Sequence, residues 1–372
     1  MSGREKVLIV TTSIGSKSVF RRFLKEYSRV DPTGYDAKLL IIGDKKTPDL
    51  DFERMPEHEA FVGKGFGFEY LDWKSQEPIM SSAPHMEDLI PWNRTTRRNI
   101  GYLIGYLQKY DAIITVDDDN YPVGRDFLKS HLANLACRGP LEVFEPQGKG
   151  VQWHNPCSFM ENHIIPRGFP IEYRYSKPKT VKKTRANHGG VVVSAGFWLG
   201  DPDIDALTRV EGNPKNTTVK NIRLKRNFCL SGRVMAPFNS QNTAIRTDAI
   251  PALFLSAKIG RYDDIWAGYM LKALLYVTEE LVMYGRPFVT QERNNHDLLN
   301  DLQLEMYGMR NTIPFTTELL NAANEIKTEG KKGSYLELTK ELCTRLANES
   351  KVFGFYHQDM LRWTDLLENL RK

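Results

Sequence analysis

An α/β fold, with a mostly parallel sheet flanked by helices, is what this sequence predicts. Three observations carry it. The apolar runs Val7 to Thr11 (VLIVT), Ala37 to Ile42 (AKLLII) and Ala112 to Val116 (AIITV) show no polar alternation. Helix-length segments separate these runs, and turn residues such as Gly15-Ser16 and Gly43-Asp44 close the first two. A strand covered on both faces needs no polar side, so it reads as a continuous apolar run.

The elements follow in order. After the first strand a helix is expected from about Ser18 to Tyr27, and the second strand ends at Gly43-Asp44. GKGFGF at 63–68 imitates a phosphate-binding loop, but no helix opening on Lys-Ser/Thr follows, so an ordinary loop is expected. From Arg94 to Leu107, Ile100, Leu103, Ile104 and Leu107 recur at helical spacing and lead into the third strand. Pro, Gly and aromatics dominate from about 140 to 240, with strand-like stretches at 190–194 and 233–236. That segment is expected to supply loops and mixed strands that complete the sheet. Asp263 to Tyr284 reads as one helix, its acidic start matched to the positive end of the helix dipole. A short strand at Pro287 to Thr290 follows. From about 296 the chain is helical, ending in two amphipathic helices broken at Gly354. The expected division is a catalytic domain over 1–310 and a helical C-terminal extension over 311–372.

Composition narrows the function classes. With 372 residues, 41% hydrophobic and 26% charged, the chain can bury a large core, which excludes general disorder. A net charge of +5 suits a small anionic substrate and is too weak for a nucleic-acid partner. Two basic runs, Lys177 to Arg185 and Lys215 to Arg226, are either solvated loops or a rim for phosphates. The four cysteines Cys137, Cys157, Cys229 and Cys343 have no zinc-type spacing, which predicts reduced thiols and a cytoplasmic location. No run approaches the roughly 18 apolar residues of a membrane span, and the N-terminal apolar stretch is too short for a signal peptide.

The chemistry concentrates in Asp117-Asp118-Asp119, directly after AIITV. In open α/β sheets ligands bind beyond the carboxyl ends of the strands. Three adjacent carboxylates repel one another unless a cation neutralises them, and Mg²⁺ or Mn²⁺ is commonly shared with substrate phosphates. Alternate residues of an extended segment face the same way, so Asp117 and Asp119 are the expected metal ligands and Asp118 turns aside. An acidic loop or a helix cap is the plainer alternative. A second pair, Asp263-Asp264, opens the long helix. It suits a general base or a holder of sugar hydroxyls, with simple capping as the other reading. Trp266 offers a face for a sugar to stack on, although core packing is the commoner fate of Trp.

The strand with its DDD, PRGFPIEYR (166–174), MAPFNSQNTAIR (235–246) and GRYDDIWAGYM (260–270) stand in an order that resembles the reversibly glycosylated polypeptide family. Those are plant proteins acting as UDP-arabinopyranose mutases on a GT-A-like nucleotide-sugar fold. The resemblance runs, with gaps, from about Val7 to Gly308, and the family's C-terminal region is not evident beyond about 310. It implies a GT-A-like sheet and a UDP-sugar substrate, with Mn²⁺ or Mg²⁺ as cofactor. It places Asp44 against the uridine, and Arg94, Arg98 and Asn99 against base or diphosphate. It matches Asp117 and Asp119 to the metal motif, Arg167 to the arginine that reversibly carries a sugar, and Arg174 to a second needed arginine. Asn242 and Asp263-Asp264 fall in the sugar pocket. Where the family has a histidine after its late strand, this chain has Gln291, with His296 five residues on, and His188 is a further contender for third ligand. A guanidinium stays protonated, so Arg167 as a diphosphate clamp stands beside Arg167 as sugar carrier.

The expected function is thus a divalent-metal-dependent UDP-sugar enzyme of glycosyltransferase type, resembling the mutases and self-glycosylating proteins. It cleaves the anomeric bond and either returns the sugar to UDP in changed ring form or passes it on. An inverting glycosyltransferase with a separate acceptor, using Asp263 or Asp264 as base, is one alternative. A non-catalytic UDP-sugar-binding subunit is another, and the C-terminal helices offer a surface for a complex or a homo-oligomer.

Overall fold

A computed structural model describes residues 4–148, 151–160, 164–177, 179–185, 187–212, 217–293 and 297–371. The strands are β1 (Glu5–Thr12), β2 (Tyr35–Ile42), β3 (Gly67–Leu71), β4 (Ala112–Val116), β5 (Asn120–Pro122), β6 (Leu141–Pro146) and β7 (Gln152–Trp153). They continue as β8 (Thr180–Arg185), β9 (Val191–Gly200), β10 (Phe228–Leu230), β11 (Val234–Met235), β12 (Asn242–Arg246) and β13 (Leu281–Gln291).

The three apolar runs become β1, β2 and β4, and they lie side by side and parallel, with β3 on the outer edge of β2. Val7–Val10, Leu39–Ile41, Ile113 and Ile114 have no exposed surface, which is why these segments carry no polar alternation. The sheet continues from β4 through β12, β9, β13, β10 and β6 to β8. In it β1, β2, β3, β4, β8, β9 and β13 run one way, and β5, β6, β10 and β12 the other. The α/β class and the helical C-terminal region are as expected.

Two local departures from the sequence reading matter. Helix Asp263–Thr278 stops where Glu279 takes a left-handed conformation, φ 59°, and β13 begins at Leu281. The expected helix to Tyr284 and the separate strand at 287–290 therefore give way to a shorter helix and one long strand. Leu281–Tyr284 is apolar enough for either element; pairing with β9 and β10 decides it. Gly67 and Phe68 of the supposed Gly-rich loop open β3. The basic run around Lys182 and Lys183 forms edge strand β8, with those lysines paired to Glu142 and Glu145 of β6. It is thus a charged sheet edge that resists further strand pairing.

Two strand directions build the site. Because β12 runs antiparallel to β4, Asn242 at its start pairs with Val116 at the end of β4. Asn239 and Ser240, just ahead of β12, thereby meet the chain where the Asp triad begins. Similarly Gln291, at the end of β13, pairs with Asn120, the residue after the triad.

The C-terminal helices, Leu298–Thr328, Tyr335–Glu349 and Gly354–Arg371, pack on this frame. Ser334 and Glu337 cap the second reciprocally. The boundary expected between 310 and 311 falls inside the first of them.

Candidate active site

At the carboxyl end of β4 the three carboxylates diverge. Asp117 receives the Arg98 guanidinium, Asp118 receives the Ser13 hydroxyl, and Asp119 accepts the Asn120 amide at 3.2 Å. Burial opposes the charge on Arg98, but the Asp117 carboxylate outweighs it and the guanidinium is held firmly protonated. Burial, followed by the charges of Asp117 and Asp118, raises the Asp119 carboxyl well above the usual carboxylate range. Among the described residues no three His, Cys, Asp or Glu side chains converge on one point. Two uncharged oxygens lie at this place instead: Gln291 Oε1 and Asn120 Oδ1 are buried without a hydrogen-bond partner. Carboxylates short of positive charge beside orphaned amide oxygens fit a hard divalent cation whose remaining ligands come from phosphates. His296 lies outside the described residues.

Arg98 opens helix Arg98–Leu107 and reaches in two directions. Besides Asp117, its Nη1 donates to the Ser240 carbonyl at 2.9 Å and to the Ser240 hydroxyl. Ser240 in turn donates to Asp264 Oδ2 from its backbone N–H at 3.0 Å and from its hydroxyl at 3.1 Å. Asp264 grips Arg167, with Nη1 to Oδ1 at 3.0 Å and Nη2 to Oδ2 at 3.3 Å. On the far side Arg167 Nε donates to both oxygens of Asp203 at 3.1 Å, and Nη1 also donates to the Arg261 carbonyl. Burial disfavours the Arg167 charge, yet Asp203 and Asp264 together hold it well above the ordinary guanidinium value. Asp203, pushed up by burial but pulled down more by Arg167 and by Asn239, sits at about 2.

Asp263 faces elsewhere. Its Oδ1 accepts the backbone N–H of Asp264 at 2.8 Å, and Thr95 approaches Oδ2 at 3.4 Å. Burial and the neighbouring Asp264 charge raise its carboxyl far above the ordinary value. It is the one member of the pair without a salt bridge among the described residues, and the better suited to exchange a proton near neutrality.

The other expected site residues divide clearly. Asp44 lies at the end of β2, its carboxylate accepting the Lys45 N–H at 2.7 Å, while Thr47 ties that turn to the Ser13 carbonyl. Arg94 is exposed and without an ion pair among the described residues, ahead of the turn leading to Arg98. Arg174 is spent on Asp205, at 2.7 and 3.0 Å, and on Thr208 and Glu211. Asn99 is a structural pin, its amide exchanging both bonds with the Leu255 backbone at 2.8 and 3.0 Å. Asn242 is wholly buried, donating to Phe197 and Pro287 carbonyls while facing His131. Trp266 has no exposed surface and its face is covered by Phe315, centroids 4.0 Å apart, so it offers no platform to a sugar. His188 binds the Gly139 carbonyl and the Gly190 N–H, away from the triad. Sequence reasoning did not single out Ser240 or Asp203. Ser240 lies inside the stretch 235–246 that carries the resemblance, and no local pattern within it marks the serine.

The family model described as Reversibly glycosylated polypeptide matches residues 168–372, more than half of the chain. That match reaches the C-terminus, so the family's C-terminal region, not evident from sequence beyond about 310, is present. Probable UDP-arabinopyranose mutase 1 of Solanum tuberosum is 25% identical over 325 residues, covering 83% of this chain and 80% of its own. UDP-arabinopyranose mutase 2 of Arabidopsis thaliana is 24% identical over 330 residues, covering 85% and 82%. The solved structure of M. tuberculosis glucosyl-3-phosphoglycerate synthase aligns with 10% identity over 86% of this chain and 82% of that one, at a TM-score of 0.42, too loose a likeness to carry an argument.

Proposed function

The chain belongs to the reversibly glycosylated polypeptide family, and from that premise we propose that it is a UDP-sugar enzyme acting as a UDP-arabinopyranose mutase. The observation that carries the reading is the joining of the Asp triad to a buried, doubly paired Arg167 through Arg98, Ser240 and Asp264. Asp117 and Asp119, with the Gln291 amide oxygen, would hold Mn²⁺ or Mg²⁺. That cation would neutralise the diphosphate as it leaves.

The residues of the chain account for the rest. Arg94 is free to meet a phosphate, and Asp44 stands at the strand end where a uridine would lie. In the proposed reaction the bond from sugar C1 to the diphosphate oxygen breaks, and UDP leaves with the electron pair. A different sugar hydroxyl then bonds to C1, the original ring oxygen breaks its own bond to C1 and becomes a hydroxyl, and the same UDP oxygen re-forms the bond to C1. Asp263 takes the proton from the hydroxyl that bonds to C1 and gives it to the original ring oxygen as that oxygen leaves C1. Arg167, fixed by two carboxylates, serves as a permanent positive charge facing this exchange. To carry the sugar covalently it would first have to leave Asp264 and lose a proton, and that pairing disfavours both steps. We place the enzyme in the cytoplasm; the four free cysteines support a reducing compartment, and no helix of the described residues is long and apolar enough to cross a membrane.

Incubation with UDP-arabinopyranose and Mn²⁺, followed by chromatography, tests this. A UDP-sugar of changed ring form is expected, and EDTA should abolish it. Radiolabel retained on denatured protein would move Arg167 from clamp to carrier. UDP released only when a sugar acceptor is added would favour a transferase instead. No binding of any UDP-sugar, with or without metal, would sink the enzyme reading.

A further inference from the structure

Ser240 is 7% exposed and touches both halves of the site. Its hydroxyl lies between Arg98 Nη1 and Asp264 Oδ2, and its carbonyl accepts from Arg98 and from the Thr115 hydroxyl, both at 2.9 Å. The direction of these bonds is forced. A guanidinium can only donate and a carboxylate can only accept, so the single hydroxyl proton must point at Asp264 while a lone pair receives Arg98. Both bonds are charge-assisted, the stronger kind, and they lie in a buried setting.

We infer that Ser240 is a positioning residue that sets the metal-side carboxylate and the Arg167 clamp in one fixed arrangement. Arg98, held by Ser240, engages Oδ1 of Asp117 and leaves the other oxygen of that carboxylate for a cation. Asp264, held by the Ser240 N–H and hydroxyl, presents both oxygens to Arg167. Removing the hydroxyl leaves Arg98 Nη1 only the Ser240 carbonyl, so the guanidinium is less firmly held away from the second oxygen of Asp117, where it competes with the cation. The inference rests on the divalent-cation reading given above.

The test measures Mn²⁺ binding in the presence of UDP, by the loss of the free-ion electron paramagnetic resonance signal, for the full chain and its variants. Ser240→Ala should weaken Mn²⁺ about tenfold, the worth of one charge-assisted bond, with a melting temperature close to the parent. Ser240→Thr keeps the hydroxyl and should restore binding. Arg98→Lys cannot span Asp117 and Ser240 together, so its loss should not add to that of Ser240→Ala. If Ser240→Ala does not fold, Ser240→Cys, a weaker donor of similar size, is measured in its place, with intermediate binding expected. Parent-like binding by Ser240→Ala, or losses that simply add, would overturn the inference while leaving the proposed function standing. A parent protein that takes up no Mn²⁺ with UDP would overturn both.

Discussion

Arg167 shows how a buried charge is made tolerable at the residue scale. Its guanidinium lies between Asp203 and Asp264, all three nearly inaccessible to water. Removing one partner leaves a buried charge poorly matched, so Asp203→Asn should cost about 3–5 kcal/mol of stability. The pH dependence fixes the sign. Asp203 falls to about 2 in the folded chain, below the ordinary carboxylate value, so its contribution is full above the unfolded carboxylate range and fades as pH drops towards 2. Urea unfolding at pH 7, 4 and 3 should therefore show the parent's advantage over Asp203→Asn shrinking with acid; a gap that stays constant would contradict it. Lys272 is the opposite case. Burial, with no partnering carboxylate among the described residues, lowers its pKa to about 7, so the folded chain loses stability as pH falls from the alkaline range through 7. Lys272→Met should raise the melting temperature, and by more at pH 6 than at pH 9. Legibility at this scale follows from the same contacts. Asp117, Asp119, Arg167 and Asp264 stand in short strings that a reader can match. Ser240 and Asp203 act only through partners far along the chain, Arg98 being 142 residues from Ser240, so no local pattern marks them.

Elements were readable where their signal is internal and obscure where a partner supplies it. β1, β2 and β4 announce themselves because they are buried on both faces. The three-residue strands β5 and β10 have no period to detect, and exist because β13 offers them hydrogen bonds. The start of β13 has the sequence of a helix as much as of a strand, because a buried helix and a buried strand are equally apolar. Helix Arg98–Leu107 illustrates how an element positions chemistry. A Cβ on Gly101 would lie 2.3 Å from Val10 Cγ1, so this glycine lets the helix rest directly on β1. Valine is stiff at χ1 and cannot swing aside cheaply. Gly101→Ala should thus destabilise by about 1–3 kcal/mol through overpacking, although alanine is the better helix former by about 1 kcal/mol. Arg98 is one turn earlier on the same helix, so the displacement should also weaken UDP-dependent Mn²⁺ binding. A urea midpoint equal to or above the parent's would show that the contact relaxes without moving the helix.

At the scale of the whole molecule, the C-terminal helices belong to the core that carries the site. The helix opened by Asp263-Asp264 is covered by them: Trp266 stacks on Phe315 and meets Phe353 and Tyr356 edge-on. Farther up, Asp301 and Glu305 of helix Leu298–Thr328 pair with Arg261, whose carbonyl binds Arg167. A chain ending at 310 keeps those two carboxylates but cuts their helix and uncovers Trp266, Phe254 and the neighbouring aliphatic surface. Burial of Trp side chains is worth several kcal/mol each, and exposed apolar faces of this size invite association. Truncation after residue 310 should therefore give a protein that aggregates or melts without a cooperative transition. Trp266→Ala, a milder form of the same insult, should cost about 3–5 kcal/mol and loosen the start of the helix where Asp264 meets Arg167. Calorimetry of the two chains beside the parent separates the cases. If residues 1–310 melt cooperatively at the parent's temperature and bind Mn²⁺ with UDP as tightly, the extension is a separate domain after all, and the long helix merely crosses a boundary it does not join.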